Sequence, residues 1–214
     1  MRSLYVISLF ACIAAPANAQ VFWQPPDYSG APVTSYEDGI GVPLPGATLA
    51  EQKAAIVWNV RSGLNVAALQ CGFDPTLRTA ENYNAVISNH ATELNAAFAA
   101  LTAYFKRTNS DAKSAQKALD TFGTRTYSGF STVGSQYGFC TAAARVSRIA
   151  LFTPRGRFIT LAEEHLREMR NALRPSGEQQ FKFGPLPTNV TRATPSLEKK
   201  CWKKDRYVAK CGPF

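Results

Sequence analysis

The feature that most constrains the fold is an Ala- and Leu-rich stretch at residues 48–174, in which apolar residues recur every three or four positions. This spacing aligns apolar side chains along one face of an α-helix, so it predicts helix almost throughout the stretch. The first helix is predicted to end at residues 72–75, where glycine and proline interrupt the pattern. The apolar residues that share its predicted buried face are Ile56, Val60, Leu64, Ala67 and Cys71.

A second helix is predicted to begin after Asp74, a residue type that caps helix N-termini, with Pro75 in its first turn. If it is unbroken over residues 75–107, it is about 50 Å long. Its apolar period is the cleanest in the chain and runs through Tyr83, Ile87, His90, Leu94, Ala97, Leu101 and Tyr104.

Turn-forming residues divide the rest of the stretch into three more helices. A turn at residues 109–111 precedes the third helix, and residues 134–135 separate it from the fourth. Residues 153–156 separate the fourth helix from the last, near whose start Thr160 and Glu163 have the spacing of a capping box.

Short connections between long helices favour antiparallel neighbours. The sequence therefore predicts an all-α fold, namely an up-and-down bundle of four to five disulfide-linked helices over residues 48–176. An extended, Pro- and Gly-rich arm at residues 20–47 precedes the bundle, and a basic strap at residues 177–214 follows it. The aromatic residues of the arm favour packing on the bundle, although its composition also suits a disordered linker.

Residues 1–19 have the pattern of a cleavable secretory signal peptide. A basic residue precedes an apolar run at residues 4–15 that is too short to span a bilayer, and small residues follow where signal peptidase cleaves. We expect cleavage before Gln20, which predicts a periplasmic or secreted protein whose mature chain has no transmembrane segment. The alternatives are an uncleaved N-terminal anchor and a lipid anchor on Cys12.

The chain has five cysteines, of which Cys12 would leave with the signal peptide. Four cysteines in an oxidising compartment favour two disulfides, for which three pairings exist. Cys201 and Cys211 are close enough in sequence to close a small loop, which leaves Cys71 with Cys140. The up-and-down topology supports this pairing, because it places the end of the first helix beside the start of the fourth. The long-range bridge should stabilise the fold by about 3–5 kcal/mol.

The formal net charge is +9, and basic residues are dense near the C-terminus. Cations attract anionic groups, while an aromatic ring among them can pack on a sugar or lie at a membrane interface. The predicted partner is an anionic envelope surface or polysaccharide, and export argues against nucleic acid. The alternative is a solubilising tail whose tryptophan packs on the bundle. The residues predicted to bind the partner are Lys199, Lys200, Trp202, Lys203 and Lys204.

Both histidines precede a glutamate by three positions, as His90 with Glu93 and His165 with Glu168. Residues three apart share a helix face, so two such helices could offer a metal ion two imidazoles and two carboxylates. The order is the reverse of the Glu-x-x-His motif of di-iron bundles, however, and further bundle carboxylates are not apparent. We therefore interpret His90 as a hydrogen-bonded core residue and His165 as part of a solvated, charged face. No cofactor is predicted.

Common catalytic motifs, such as the Gly-x-Ser-x-Gly elbow and the phosphate-binding glycine loops, are not found in the sequence. We therefore expect a non-enzymatic binding or envelope protein. The alternatives are a metal-binding or hydrolytic helical bundle and a structural subunit of a secreted assembly.

Residues 58–71, with the sequence WNVRSGLNVAALQC, and residues 137–140, with the sequence YGFC, resemble a group of uncharacterised exported helical proteins from Gram-negative bacteria. The likeness runs over most of the helical region. It implies a periplasmic or secreted setting, and it brings neither an activity nor catalytic residues.

Overall fold

In the computed structural model of the protein, 66% of the described residues are helical and 2% lie in strands, which confirms the all-α prediction. The predicted signal peptide, including Cys12, lies outside the described residues. The structure describes residues 26–132, 134–175, 196, 198–204 and 206–212.

Within these ranges the chain forms six α-helices. The additional helix, compared with the predicted four to five, arises because the second predicted helix is divided. The helices are α1 (Leu49–Gln70), α2 (Thr79–Asn89), α3 (Ala91–Thr108), α4 (Ala112–Ser128), α5 (Gln136–Phe152) and α6 (Phe158–Asn171).

The prediction of one unbroken helix over residues 75–107 is wrong. A short 3-10 turn at Pro75–Leu77 comes first, and Arg78 then adopts a left-handed backbone with φ 50°. The second break is at His90, where φ is −108° and ψ is 21°. Hydrogen bonding continues across this residue, because its N–H donates to the Val86 carbonyl at 3.0 Å. The break is therefore a kink. Helix α2, before it, packs on α1 and α5, whereas α3, after it, packs on α1 and α4.

The helices run up and down as predicted. Glu51, near the start of α1, accepts a hydrogen bond from Arg107 at the end of α3, so these two helices are antiparallel. Cys71, which follows α1, is bonded to Cys140 near the start of α5, so α5 begins at the end of the bundle where α1 finishes. The chain thus ascends through α1, descends through α2 and α3, and then alternates through α4, α5 and α6.

Side-chain caps begin two of the helices. Thr48 and Glu51 form a reciprocal capping box at α1, with the Thr48 N–H donating to the Glu51 carboxylate at 2.7 Å. Asp111 accepts the N–H groups of Lys113 and Ser114 at the start of α4, as the predicted turn at residues 109–111 requires.

The capping box predicted at Thr160 and Glu163 is wrong. Helix α6 begins two residues earlier, at Phe158. Its first N–H donates at 2.7 Å to the carboxylate of Glu93, which lies on α3. A residue from a different helix thus satisfies one of the N–H groups that an N-terminus leaves unpaired.

Helix α1 is the centre of the bundle and contacts α2, α3, α4, α5 and α6. Gly63 lets it approach its neighbours closely, because a Cβ atom there would lie 2.6 Å from Met169 Cε and 2.9 Å from Phe130 Cε1. The largest side chains with almost no exposure are Phe130, Phe139, Phe158, Leu64, Leu101, Leu166 and Met169.

The described part of the N-terminal arm packs on the bundle and is not a disordered linker. Val33 is fully buried, and its N–H donates to the Glu163 carbonyl at 2.7 Å. Arg167 donates to the Ala31 carbonyl at 2.7 Å, and Tyr104 donates to the Pro45 carbonyl at 2.9 Å. Side chains of the bundle thus bond to the arm's backbone at two positions, Ala31 and Pro45.

Two short strands, β1 (Trp202–Lys203) and β2 (Arg206–Tyr207), form an antiparallel hairpin near the C-terminus. Residues 196–212, which contain this hairpin and the 3-10 turns Lys199–Cys201 and Ala209–Cys211, are called the strap below.

Both predicted disulfides are confirmed, with Cα atoms 5.6 Å apart in Cys71–Cys140 and also in Cys201–Cys211. None of the helices among the described residues combines the length and apolar character needed to cross a membrane. The two disulfides are compatible with an extracellular or periplasmic protein, while the signal peptide and the lipid anchor stay predictions.

Candidate functional site

The strap displays its cations to solvent. Lys199, Lys200, Lys203 and Lys204 are all exposed. Lys200 pairs with Glu198 at 2.6 Å, but both side chains remain mostly exposed, so solvent screens the pair strongly. The four lysines predicted from the sequence therefore lie together on one small, accessible segment.

The hairpin register gives the strap two different faces. Trp202 lies opposite Tyr207, and Lys203 lies opposite Arg206. Because neighbouring side chains in a strand point to opposite faces, the aromatic pair occupies one face and the basic pair the other. Lys204, with φ 54°, adopts the left-handed backbone that two-residue hairpin turns require.

Trp202 packs within the strap. Its ring lies edge-on to Tyr207 with centroids 5.3 Å apart, and its Nε1–H donates to the Ser196 carbonyl at 2.7 Å. The Tyr207 hydroxyl donates in turn to the Cys211 carbonyl at 3.0 Å. These contacts give the indole a structural role in the hairpin, so direct contact between Trp202 and a partner remains a prediction.

The first histidine pair lies at the kink between α2 and α3. His90 is almost fully buried, with Nδ1 2.8 Å from Glu93 Oε2 and Nε2 3.0 Å from the Ala150 carbonyl. Its ring also contacts Phe158, with centroids 4.9 Å apart. His90 is therefore a hydrogen-bonded core residue that links the kink to the end of α5 and the start of α6.

The second histidine pair lies on α6. His165 Nδ1 is 3.1 Å from Glu168 Oε2, and Arg145 on α5 donates to both oxygens of the same carboxylate, with its Nε 2.7 Å from Oε1. Glu168 is only 5% exposed and the His165 side chain 18%, so the pair is more buried than the solvated, charged face predicted for His165. The burial is tolerated because two basic side chains pair with the carboxylate.

The two histidine pairs do not form one metal site. Each imidazole is paired with the glutamate of its own helix, and Glu93 also bonds to the backbone of α6. In the part of the chain that the structure describes, no group of three or more His, Cys, Asp or Glu side chains is placed to bind a metal ion.

The hydrogen bonds at these pairs favour ionised carboxylates. Burial raises the pKa of Glu93, but hydrogen bonds from His90 and from the Phe158 N–H more than offset it, so the pKa lies below its ordinary 4.5. Burial likewise raises the pKa of Glu168, and hydrogen bonds from His165 and Arg145 lower it to a greater extent. Both carboxylates are therefore more acidic in the folded protein than in the unfolded chain.

We expect acid to destabilise the protein through these two carboxylates. A lowered folded-state pKa contributes stability that is present above the unfolded value of 4.5 and is lost as the pH falls through the folded value. Urea unfolding of the Glu168→Gln variant should show lower stability at neutral pH and a smaller further loss below about pH 4.5. An acid-induced loss equal to that of the wild type would show that Glu168 does not contribute.

Arg170 is a site residue that the sequence pattern does not reveal. Its guanidinium carbon lies 3.8 Å from the Phe130 ring centroid, and its Nη2 donates to Asn59 Oδ1 at 2.7 Å. Burial lowers its pKa to about 10. Arg145, the partner of Glu168, is missed for the same reason, since each contact joins two different helices, over 111 positions for Arg170 with Asn59 and over 23 for Arg145 with Glu168.

Comparison with known proteins finds no matching family model, no matching curated protein and no matching solved structure.

Proposed function

We propose that the protein is a non-enzymatic, exported binding protein that attaches to an anionic envelope surface or polysaccharide through the strap. The observation that carries the proposal is the density of accessible charge there. Residues 196–212 contain six basic and two acidic side chains, and the four lysines around Trp202 are exposed. A cluster of this kind attracts anionic surfaces and accelerates association with them.

The disulfide supports this role because it keeps the charges together. Cys201 is buried and bonded to Cys211, so the cations lie on a closed hairpin rather than on a freely moving tail. A segment that is ordered before binding loses less conformational entropy when it meets its partner. Disulfides persist in oxidising compartments, which supports a periplasmic or secreted location.

The strap lysines should determine adsorption to vesicles that contain phosphatidylglycerol. Each lysine near an anionic membrane contributes about 1 kcal/mol, so a variant with Lys199, Lys200, Lys203 and Lys204 replaced by Gln should bind roughly a thousandfold more weakly. Wild-type binding should itself weaken as salt increases, because ions screen exposed charges. Co-sedimentation with vesicles at several salt concentrations measures both effects.

A matched control distinguishes the effect of the strap lysines on adsorption from the effect of the protein's net charge. In the control, four exposed cations outside the strap are replaced by Gln, which changes the net charge by the same amount. Adsorption of this variant should stay within about threefold of the wild type. Equal losses in the two variants would contradict a strap-specific site, as would wild-type adsorption by the strap variant. The control residues are Lys106, Arg148, Arg155 and Arg174.

A further inference from the structure

A small cleft lies on the outer surface of the bundle, beside the kink between α2 and α3. Its volume is about 170 Å³. Ile87 and Ala91, which line it, lie three residues before and one residue after His90, so the change of direction at the kink contributes to its shape. The other residues that line the cleft are Trp58 and Arg61 of α1 and Leu94, Asn95 and Phe98 of α3.

Arg61 is fixed in position by aromatic side chains. Its guanidinium carbon lies 4.8 Å from the Trp58 ring centroid and 5.8 Å from that of Tyr83. Its Nη1 donates to the Tyr127 hydroxyl. On the cleft side, Trp58 also packs on Phe98, with centroids 4.9 Å apart. Stacking of this kind suits the planar guanidinium and reduces the entropy lost when the group binds a ligand.

The charge of Arg61 is not balanced by an acidic side chain among the ion pairs of the described residues. The aromatic groups around it are uncharged, and burial raises the pKa of Tyr83 above its ordinary value of 10.0. A guanidinium has five N–H donors, which is more than its hydrogen bonds to the hydroxyls of Tyr127 and Tyr83 use. Arg61 is only partly buried, so an anion can approach the remaining donors.

The rest of the cleft has both apolar and polar surface. Ile87, Leu94 and Phe98 contribute hydrocarbon and aromatic surface, and the exposed amide of Asn95 adds a second polar group. Apolar side chains beside a few convergent polar groups suit a small ligand that has an apolar part and a polar end. The size suits a compact ligand, since a cavity of about 150 Å³ can hold a benzene ring.

We propose that this cleft binds a small monocarboxylate with an apolar ring or chain. The carboxylate pairs with the guanidinium of Arg61, and the apolar part lies against Ile87, Leu94 and Phe98. Arginine suits this role because its parallel N–H groups match the two oxygens of a carboxylate. The site is separate from the strap and does not depend on the function proposed for it.

Titration calorimetry with phenylacetate tests the proposal. The wild-type protein should bind the probe saturably at one site, and phenylacetamide, which has the same shape without the charge, should bind at least tenfold more weakly. Arg61→Gln should weaken phenylacetate binding by about tenfold to a hundredfold, the range expected for a lost charge-assisted hydrogen bond. The variant in which the four strap lysines are replaced should bind phenylacetate like the wild type.

A second variant covers the case in which Arg61→Gln does not fold. Ala91 is exposed at the first position of α3, and Ala91→Phe should fill the cleft while leaving the Arg61 charge intact. We expect saturable binding to be lost in this variant, with thermal unfolding unchanged. Wild-type affinity in either Arg61→Gln or Ala91→Phe, equal binding of the acid and the amide, or no saturable binding by the wild type would each overturn the proposal.

Discussion

Replacing Cys71 and Cys140 with alanine should lower the free energy of unfolding by about 4 kcal/mol. The bridge joins residues that are 69 positions apart in sequence, so its loss gives the unfolded chain a large gain in conformational entropy. It also connects the end of α1 with the start of α5. Urea unfolding followed by far-UV circular dichroism, without reductant, measures the effect.

The matched control is the removal of Cys201 and Cys211. This bridge closes a much shorter loop, with a separation of 10 residues, and the described hydrogen bonds of Trp202 and Tyr207 are made within the strap. Its loss should change the unfolding of the helices by less than about 1 kcal/mol. Equal losses in the two double variants would mean that the strap contributes to the stability of the bundle.

The pairing of Cys71 with Cys140 shows how much of the fold local signals determine. Asp111 and the apolar spacing of α1 are local features, and they place helices where the structure has them. Once the helices and their short connections are known, the alternation of direction follows. The long-range disulfide can then be predicted without any information about tertiary contacts.

The kink at His90 could not be predicted in this way. Tyr83, His90, Leu94 and Leu101 are all buried, so the apolar period of a kinked helix is the same as that of a straight one. The difference comes from tertiary contacts, because the His90 ring bonds to the Ala150 carbonyl, 60 residues away. Packing of α2 on α5 therefore decides the geometry, as tertiary context commonly overrides a local pattern.

The two candidate sites also differ in whether the sequence alone reveals them. The lysines of the strap are adjacent in sequence, so their cluster is visible without a structure. The surroundings of Arg61 cannot be seen in the sequence, since Tyr83 and Tyr127 come from α2 and α4. Only Trp58, three residues before Arg61 on the same helix, could have suggested the stacking.

Replacing His90 with alanine should lower the free energy of unfolding by about 3 kcal/mol. The change leaves a cavity beside Phe158 and removes one hydrogen bond each from the buried Ala150 carbonyl and the Glu93 carboxylate. A lost hydrogen bond costs about 0.5–1.5 kcal/mol, or about 1.5–3 kcal/mol when one partner is charged, and the cavity adds to the loss. Urea unfolding at neutral pH measures the loss.

His165→Ala is the matched comparison, since His165 occupies the same position relative to its glutamate. We expect a loss below about 1 kcal/mol, because Glu168 keeps both hydrogen bonds from Arg145 and the His165 side chain is 18% exposed.

Unfolding in the presence of zinc distinguishes this structural role of the histidines from metal binding. A metal bound by both pairs would stabilise the wild type by mass action, and both substitutions would abolish the gain. We expect unfolding of the wild type to be unchanged by zinc, because each imidazole is already paired with its own glutamate.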